Sequence, residues 1–267
     1  MHAAAFRALG LPHHYEAVRV REDELGSWVA KLRSGAFEGL NVTVPHKRAI
    51  LAHVDVVDAC AALVGAANTL VRDDAGRIVA YNTDVAAITE ELRALAPDLT
   101  DTAPGAAALV LGSGGAARAA IVALARGLGV RRVVVRARRD AAELVRELEA
   151  ALRRSGHEVT VVAEGLAPSR EAERGVVYLV QATSAGMQGA EPGASVAAAV
   201  AWTALPARAA ALDVVYAPPD TPFLGLAWEH GIRAAGGLGM LARQGALAFE
   251  LWLHVPAPYG AMLGALL

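Results

Sequence analysis

Cysteine is almost missing from this 267-residue chain. The single thiol, Cys60 in the apolar run DACAALVGAA, excludes an internal disulfide and reads as a core thiol of a reducing compartment. An excess of either charge is also missing: the formal net charge is -2, with acidic and basic residues interspersed, which leaves no electrostatic footprint for nucleic acid or an anionic membrane. No apolar run reaches the roughly 18 residues of a membrane helix, and no basic, then apolar leader opens the chain, so a soluble, cytoplasmic protein is expected. Metal-ligand spacing is lacking as well, since His13, His14, His46 and His53 have no acidic or cysteine partners at ligand intervals. Long repeats and low-complexity tails are absent, and the preference for Ala and Arg over Lys reads as a base-composition habit. Small-molecule chemistry is the default that remains. The 55% hydrophobic and 19% charged content is ample for a core, as one large domain or two modest ones.

What is present alternates. AAAFRALGL reads as a helix closed by Gly10, YEAVRV as a strand, EDELGSWVAKLRSG as a helix with Gly35 beyond its end, and GLNVTV as a strand. Such alternation predicts a mostly parallel sheet. A helical region from Lys47 to Leu63 follows, then the strands ANTLVR and RIVAYN joined by the hairpin turn Asp73-Asp74-Ala75-Gly76, then a helix from Asp84 to Leu95. The segment Ala96 to Gly105 carries Pro, Thr, Asp and Gly with little periodicity, and a domain boundary is expected there. A second α/β unit begins with AAALVLGSGGAARAAIVALARGL, RRVVVR, a helix through Ala150 and HEVTVV, with later strands at VVYLVQA and AALDVVY.

LVLGSGGAARAA places Gly112, Gly114 and Gly115 between a strand and a helix, where backbone can approach a pyrophosphate at the helix N-terminus. The plain alternative is a tight turn with no ligand. At the end of the next strand, where an NAD site wants Asp or Glu, stand Arg136, Arg138 and Arg139, which suit a 2′-phosphate; the alternative is a solvated arginine turn. LNVTVPHK (Leu40 to Lys47) opens as the alternation of a buried strand and ends by delivering an amide, a hydroxyl and an ammonium. Asn68 heads a strand, Asp84 ends one, and Gln244 sits at helical spacing from Met240, Leu241, Leu247 and Leu251, on the face that ought to be apolar. Asp84 as a helix cap, Asn68 as a turn residue and Gln244 bonded to backbone are the alternatives. Lys47, read in the first turn of a helix, faces an unfavourable dipole, a cost that a site needing a fixed ammonium and a carboxylate such as Asp84 would explain.

NVTVPHK, GAANT, NTD, GSGGAARA, ATSAGM, DVVYAPPDTPFL and GMLARQGALAFELW occur in the order and spacing of the shikimate dehydrogenase family, which the chain resembles over essentially its whole length. The resemblance implies an α/β substrate domain over 1–101, an NADP-binding Rossmann-like domain over 102–237, and C-terminal helices over 238–267 returning to the first. It implies reversible, NADP-dependent reduction of 3-dehydroshikimate to shikimate on the route to chorismate and aromatic amino acids. Lys47 and Asp84 match the family's catalytic pair; Thr43, Asn68 and Gln244 match groups that bond the substrate's hydroxyls, and Tyr216 one near its carboxylate. Gly112, Ser113, Gly114, Gly115, Ala116, Arg136, Arg138, Arg139, Thr183 and Gly237 fall at the cofactor. The expected partners are small molecules, not nucleic acid or membrane, in a monomer or homodimer. Departures are Arg136-Ala137-Arg138 where the family has Asn-Arg-Thr, Val85 and Ala87 at small positions, and Gln181 for Asn before ATSAGM. The chain opens at a helix that the family precedes with a strand and a Ser-x-Ser segment, so Met1 is expected to be an internal methionine with roughly 20 residues before it, whose loss would leave a sheet edge unpaired. The other readings are a quinate-accepting or NAD-using relative and, from a different class, a non-catalytic NADP or metabolite-binding module; NVTVPHK with NTD disfavours the tetrahydrofolate and glutamyl-tRNA dehydrogenases.

Overall fold

The computed structural model describes residues 1–99 and 106–267. They divide into two compact units, Met1–Asp84 with Leu241–Leu267, and Val85–Met240. The boundary expected between residues 101 and 102 lies outside the described residues.

The first unit holds four short strands, β1 (Gly39–Asn41), β2 (Val56–Val57), β3 (Thr69–Arg72) and β4 (Ile78–Tyr81), in the order β1-β3-β4-β2. The turn after β3 is tied by Asp73, whose Oδ1 accepts from the backbone N–H of Ala75 and Arg77. So short a connection permits only antiparallel pairing, with Thr69 opposite Tyr81 and Arg72 opposite Ile78. β1 is antiparallel to β3 as well, and only β2 runs parallel to β4.

The sheet is therefore mixed, not mostly parallel. Tyr15 to Val20, expected as a strand, forms no regular element, and Lys47 to Leu63, expected as helix, breaks into a 3-10 turn, β2 and the helix Ala59–Val64. That helix starts late because Asp58 caps it, accepting from Cys60 N–H at 2.8 Å, and stops at Gly65 in the left-handed region. GLNVTV is a strand only through Asn41, with Val42 N–H still reaching Asn68 O at 2.8 Å; Leu40 and Val42 pack on the core but Val44 is 78% exposed, so the alternation marks burial only as far as Val42. Pro45, with no N–H to offer a ladder, follows directly.

Successive residues of β3 face opposite ways. Leu70 joins Ile78, Ile50 and the Leu25, Val29 and Leu32 stripe of helix Leu25–Arg33. Val71 instead meets Ala248 and Trp252 of helix Leu238–Leu253, which also packs Ala246 and Phe249 against Ala5, Phe6 and Met262.

In the second unit β5 (Ala107–Leu111), β6 (Arg132–Arg136), β7 (Thr160–Glu164), β8 (Val176–Gln181), β9 (Ala210–Asp213) and β10 (Arg233–Ala235) lie in the order β10-β9-β8-β5-β6-β7. Every neighbouring pair is parallel. β5 and β8 are buried at every position, as sheets covered on both faces require. Counted from β5, this is the doubly wound 3-2-1-4-5-6 arrangement, and the direction of winding reverses between β5 and β8. Ligands of such sheets bind beyond the strand ends at that point. Among the described residues no helix is long and apolar enough to cross a membrane.

Gly39 shows how tightly the first sheet is covered: a Cβ there would overlap the indole of Trp252, whose Nε1 donates to Leu70 O at 3.1 Å. Gly39→Ala is expected to cost about 1–3 kcal/mol by overpacking. A lower urea midpoint, with a shift in tryptophan emission, checks it.

Candidate active site

The polar residues at the ends of β3 and β4 converge. Lys47 lies in a turn rather than in the first turn of a helix, and its carbonyl accepts from Ala67 N–H at 2.8 Å, which pins the turn beside the head of β3. Its Nζ donates to Asp84 Oδ2 at 2.7 Å, with side chains 16% and 4% exposed. Asp84 opens the helix Asp84–Leu95, and Asn82 Oδ1 accepts its backbone N–H at 3.1 Å. Its carboxylate thereby stays turned to Lys47 and to Asn68, whose Nδ2 donates to Oδ1 at 2.9 Å.

The amide of Asn68 has a determined orientation. Thr83 N–H lies 2.8 Å from Asn68 Oδ1, and a backbone N–H can only donate, so the amide oxygen faces Thr83 and the nitrogen faces Asp84. Thr69 and Thr83 hydroxyls, each 3.2 Å from the same oxygen, reinforce it. Asn41 holds the strand head from the other side, donating to Asn68 O at 3.1 Å while accepting from Tyr15 OH. Gln244 Nε2 donates to Leu241 O, and its Oε1 lies at 3.5 Å from Asn68 Nδ2, the outer limit of that bond. Lys47, Asp84, Asn68 and Gln244 thus form one cluster. Thr43 is exposed in the turn that leads to Lys47. Tyr216 belongs to the second unit and is 43% exposed. Asn82 and Thr83, inside the NTD motif, were not singled out from sequence; an Asx residue two before a helix start was the available signal.

In the second unit the glycine loop leaves β5 at the switch point. Gly112 has φ of 120°, and a Cβ on it would sit 3.0 Å from both Ala182 O and Thr183 Cγ2, so only glycine lets these two strand ends meet. Its N–H donates to Arg136 O at 2.8 Å. Beyond it Ser113 is half-buried, Gly114 is exposed with open space where a side chain would be, and Gly115 and Ala116 begin the helix Gly115–Val122. Backbone N–H groups at such an end suit an anion. Gly237 passes so close to the Val214 carbonyl that any side chain would overlap it.

The arginines behave differently from the expectation. Arg136 is fully buried: Nη1 donates to Glu173 Oε1 at 2.7 Å and to Ala199 O at 2.8 Å, and Nη2 to Glu164 Oε2 at 2.9 Å. Its guanidinium is spent inside the fold and is not offered to a ligand, because β6 turns residue 136 inward. Arg138 and Arg139 are exposed, Arg138 paired with Glu191. Burial alone would raise the Glu173 carboxyl, but Arg136 and the N–H groups of Ala201 and Ser169 hold it below its ordinary value. Among the described residues no group of His, Cys, Asp and Glu could hold a metal ion.

Residues 1–70 match the family model described as the shikimate dehydrogenase substrate binding domain, and residues 237–267 the one described as the shikimate 5'-dehydrogenase C-terminal domain. The shikimate dehydrogenase (NADP(+)) of Geobacter sulfurreducens is 40% identical, over 100% of this chain and 90% of its own. The chain belongs to the shikimate dehydrogenase family. Shikimate 5-dehydrogenase from Listeria monocytogenes, solved with shikimate and NAD, superposes with TM-score 0.85 at 30% identity, covering 100% of this chain and 90% of that one. The Thermus thermophilus enzyme, solved with NADP(H) and shikimate, gives 0.78 at 36% identity over 99% and 91%.

Removing Arg136 strands Glu173 in the interior. Arg136→Ala is expected to cost about 3–5 kcal/mol, read by urea unfolding without cofactor. A second titration concerns Asp213, whose carboxyl burial pushes up to about 6 from 3.8, against the pull of Thr221, Val215 and Gln181. The folded protein then holds this proton more tightly than the unfolded chain, so the stability it contributes is present at low pH and is lost as pH rises from about 4 to about 6. Asp213→Asn should flatten that limb of the stability curve, measured as urea midpoints across the window.

Proposed function

We propose that the protein is an NADP-dependent shikimate dehydrogenase, reversibly reducing 3-dehydroshikimate to shikimate on the route to chorismate, as a cytoplasmic monomer or homodimer. The observation that carries this is the Lys47–Asp84 pair, set among the amides of Asn68 and Gln244 at one sheet end. An ammonium so held is suited to charge developing on a carbonyl oxygen, and neutral amides are suited to hydroxyls.

The glycine loop fits a dinucleotide. The approach at Gly112 excludes a side chain, and Gly114 leaves open space at a helix N-terminus. Gly112, Ser113, Gly114, Gly115 and Ala116 would hold the pyrophosphate, with Thr183 and Gly237 on the flanking strand ends. Arg138 and Arg139, the exposed members of their run, would serve the 2′-phosphate. When bound, NADPH supplies a hydride. Lys47 Nζ holds the proton that passes to the oxygen as its charge develops, and takes it back in the reverse direction. Asp84 keeps the ammonium in place, and Asn68, itself oriented by Thr83, and Thr43 and Gln244 bond ring hydroxyls.

The test is NADPH formation from NADP and shikimate. Lys47→Ala should lower kcat by roughly 10²–10⁴-fold, with shikimate binding changed little by calorimetry. Undiminished turnover in the variant would remove Lys47 from the chemistry. A wild-type protein inactive with both NADP and NAD would overturn the reading.

A further inference from the structure

One buried carboxylate has no part in that chemistry. Asp213 ends β9 with 0% exposure, and three donors from three segments meet on it. Thr221 Oγ1 donates at 2.6 Å, Val215 N at 2.9 Å and Gln181 Nε2 at 3.2 Å. Each donor opens onto something larger. Thr221 caps the helix Pro222–Glu229, its Oγ1 accepting from Leu224 N–H. Val215 stands one residue before Tyr216, and its carbonyl accepts from Gly237 N–H at 2.9 Å. Gln181 bridges further: its Oε1 accepts from Thr183 N–H at 2.6 Å and its Nε2 donates to Ala185 O at 3.0 Å. Thr183 is the residue against which Gly112 of the glycine loop packs.

We infer that Asp213 is a positioning residue for the cofactor site, acting through Gln181 to hold the Thr183–Ala185 segment against the glycine loop and through Val215 to hold the Gly237 strand end. The inference rests on the functional reading above. Gln181 is suited to the link by its length, because one amide caps Thr183 N–H with its oxygen while its nitrogen still spans to Asp213. An apolar residue at 213 would leave one N–H of the Gln181 amide, the Val215 N–H and the Thr221 hydroxyl proton without their acceptor at once, and the segments carrying them would shift to find partners. Asparagine would not: its oxygen can keep the Val215 and Gln181 bonds, while its nitrogen donates to Thr221 Oγ1, which accepts as readily as it donates.

The test uses the full chain and a readout independent of turnover, NADPH fluorescence titration, beside kinetics and shikimate calorimetry. Asp213→Val is expected to raise the Kd for NADPH and the KM for NADP by roughly tenfold or more, with shikimate affinity within about twofold. Asp213→Asn should recover most of the lost cofactor affinity. Should Asp213→Val fail to fold, Gln181→Leu, which leaves the Thr221 and Val215 bonds in place, must by itself weaken NADPH binding. Wild-type NADPH affinity in folded Gln181→Leu, or equal loss of cofactor and shikimate binding in Asp213→Val, overturns the inference. A wild-type chain that binds no NADPH overturns the functional reading, and this inference with it.

Discussion

An ammonium and a carboxylate almost out of water, 2.7 Å apart, are the constraint around which the first unit is arranged. Each partner offsets much of the other's desolvation cost, and Asn68 Nδ2 supplies Asp84 with a further donor. Their meeting requires a turn that carries Lys47 to the head of β3, a helix that starts exactly one residue after Thr83, and an amide whose orientation is decided by a backbone N–H. The hairpin of β3 and β4 supplies the frame, because its register places Asn68 and the Asn82-Thr83-Asp84 stretch at the same end of the sheet. The cluster is thus oriented by backbone geometry within the unit itself, and fixed dipoles of this kind are what electrostatic preorganisation requires.

The second unit buries charge to another end. Arg136, Glu173 and Glu164 join β6, β7 and the helix Arg170–Glu173, and their geometry is satisfied within the protein. Asp213 gathers loop ends in the same way without a cationic partner, through three neutral donors. In both places a polar group at the end of a parallel strand holds connecting segments in place. Arg138 and Arg139, two residues and more beyond the end of β6, are exposed instead.

Much of this was legible beforehand because it is local. The turn at Asp73, the glycine loop between strand and helix, and the alternation from β5 to β9 depend on residues near one another in sequence, and they stand as read. Where the reading went astray, the deciding partner was remote. Val44 continues the alternation of Leu40 and Val42, yet the chain leaves the ladder before it and Val44 is exposed. Val56 and Val57 are too few to show a period, and become a strand only by pairing with β4. An arginine at the end of β6 looks like a phosphate ligand until Glu173, 37 residues later, claims it.

By itself, the sequence determined the α/β class and the identity of the chemical groups, since propensity, periodicity and residue type are properties of short segments. Tertiary structure alone decided which of those groups meet. Lys47 and Asp84 are 37 positions apart, and Asn68 and Gln244 are 176 apart. No local rule relates residues at such separations; the packing of strands and helices brings them within hydrogen-bonding reach, and burial then gives the contact its strength.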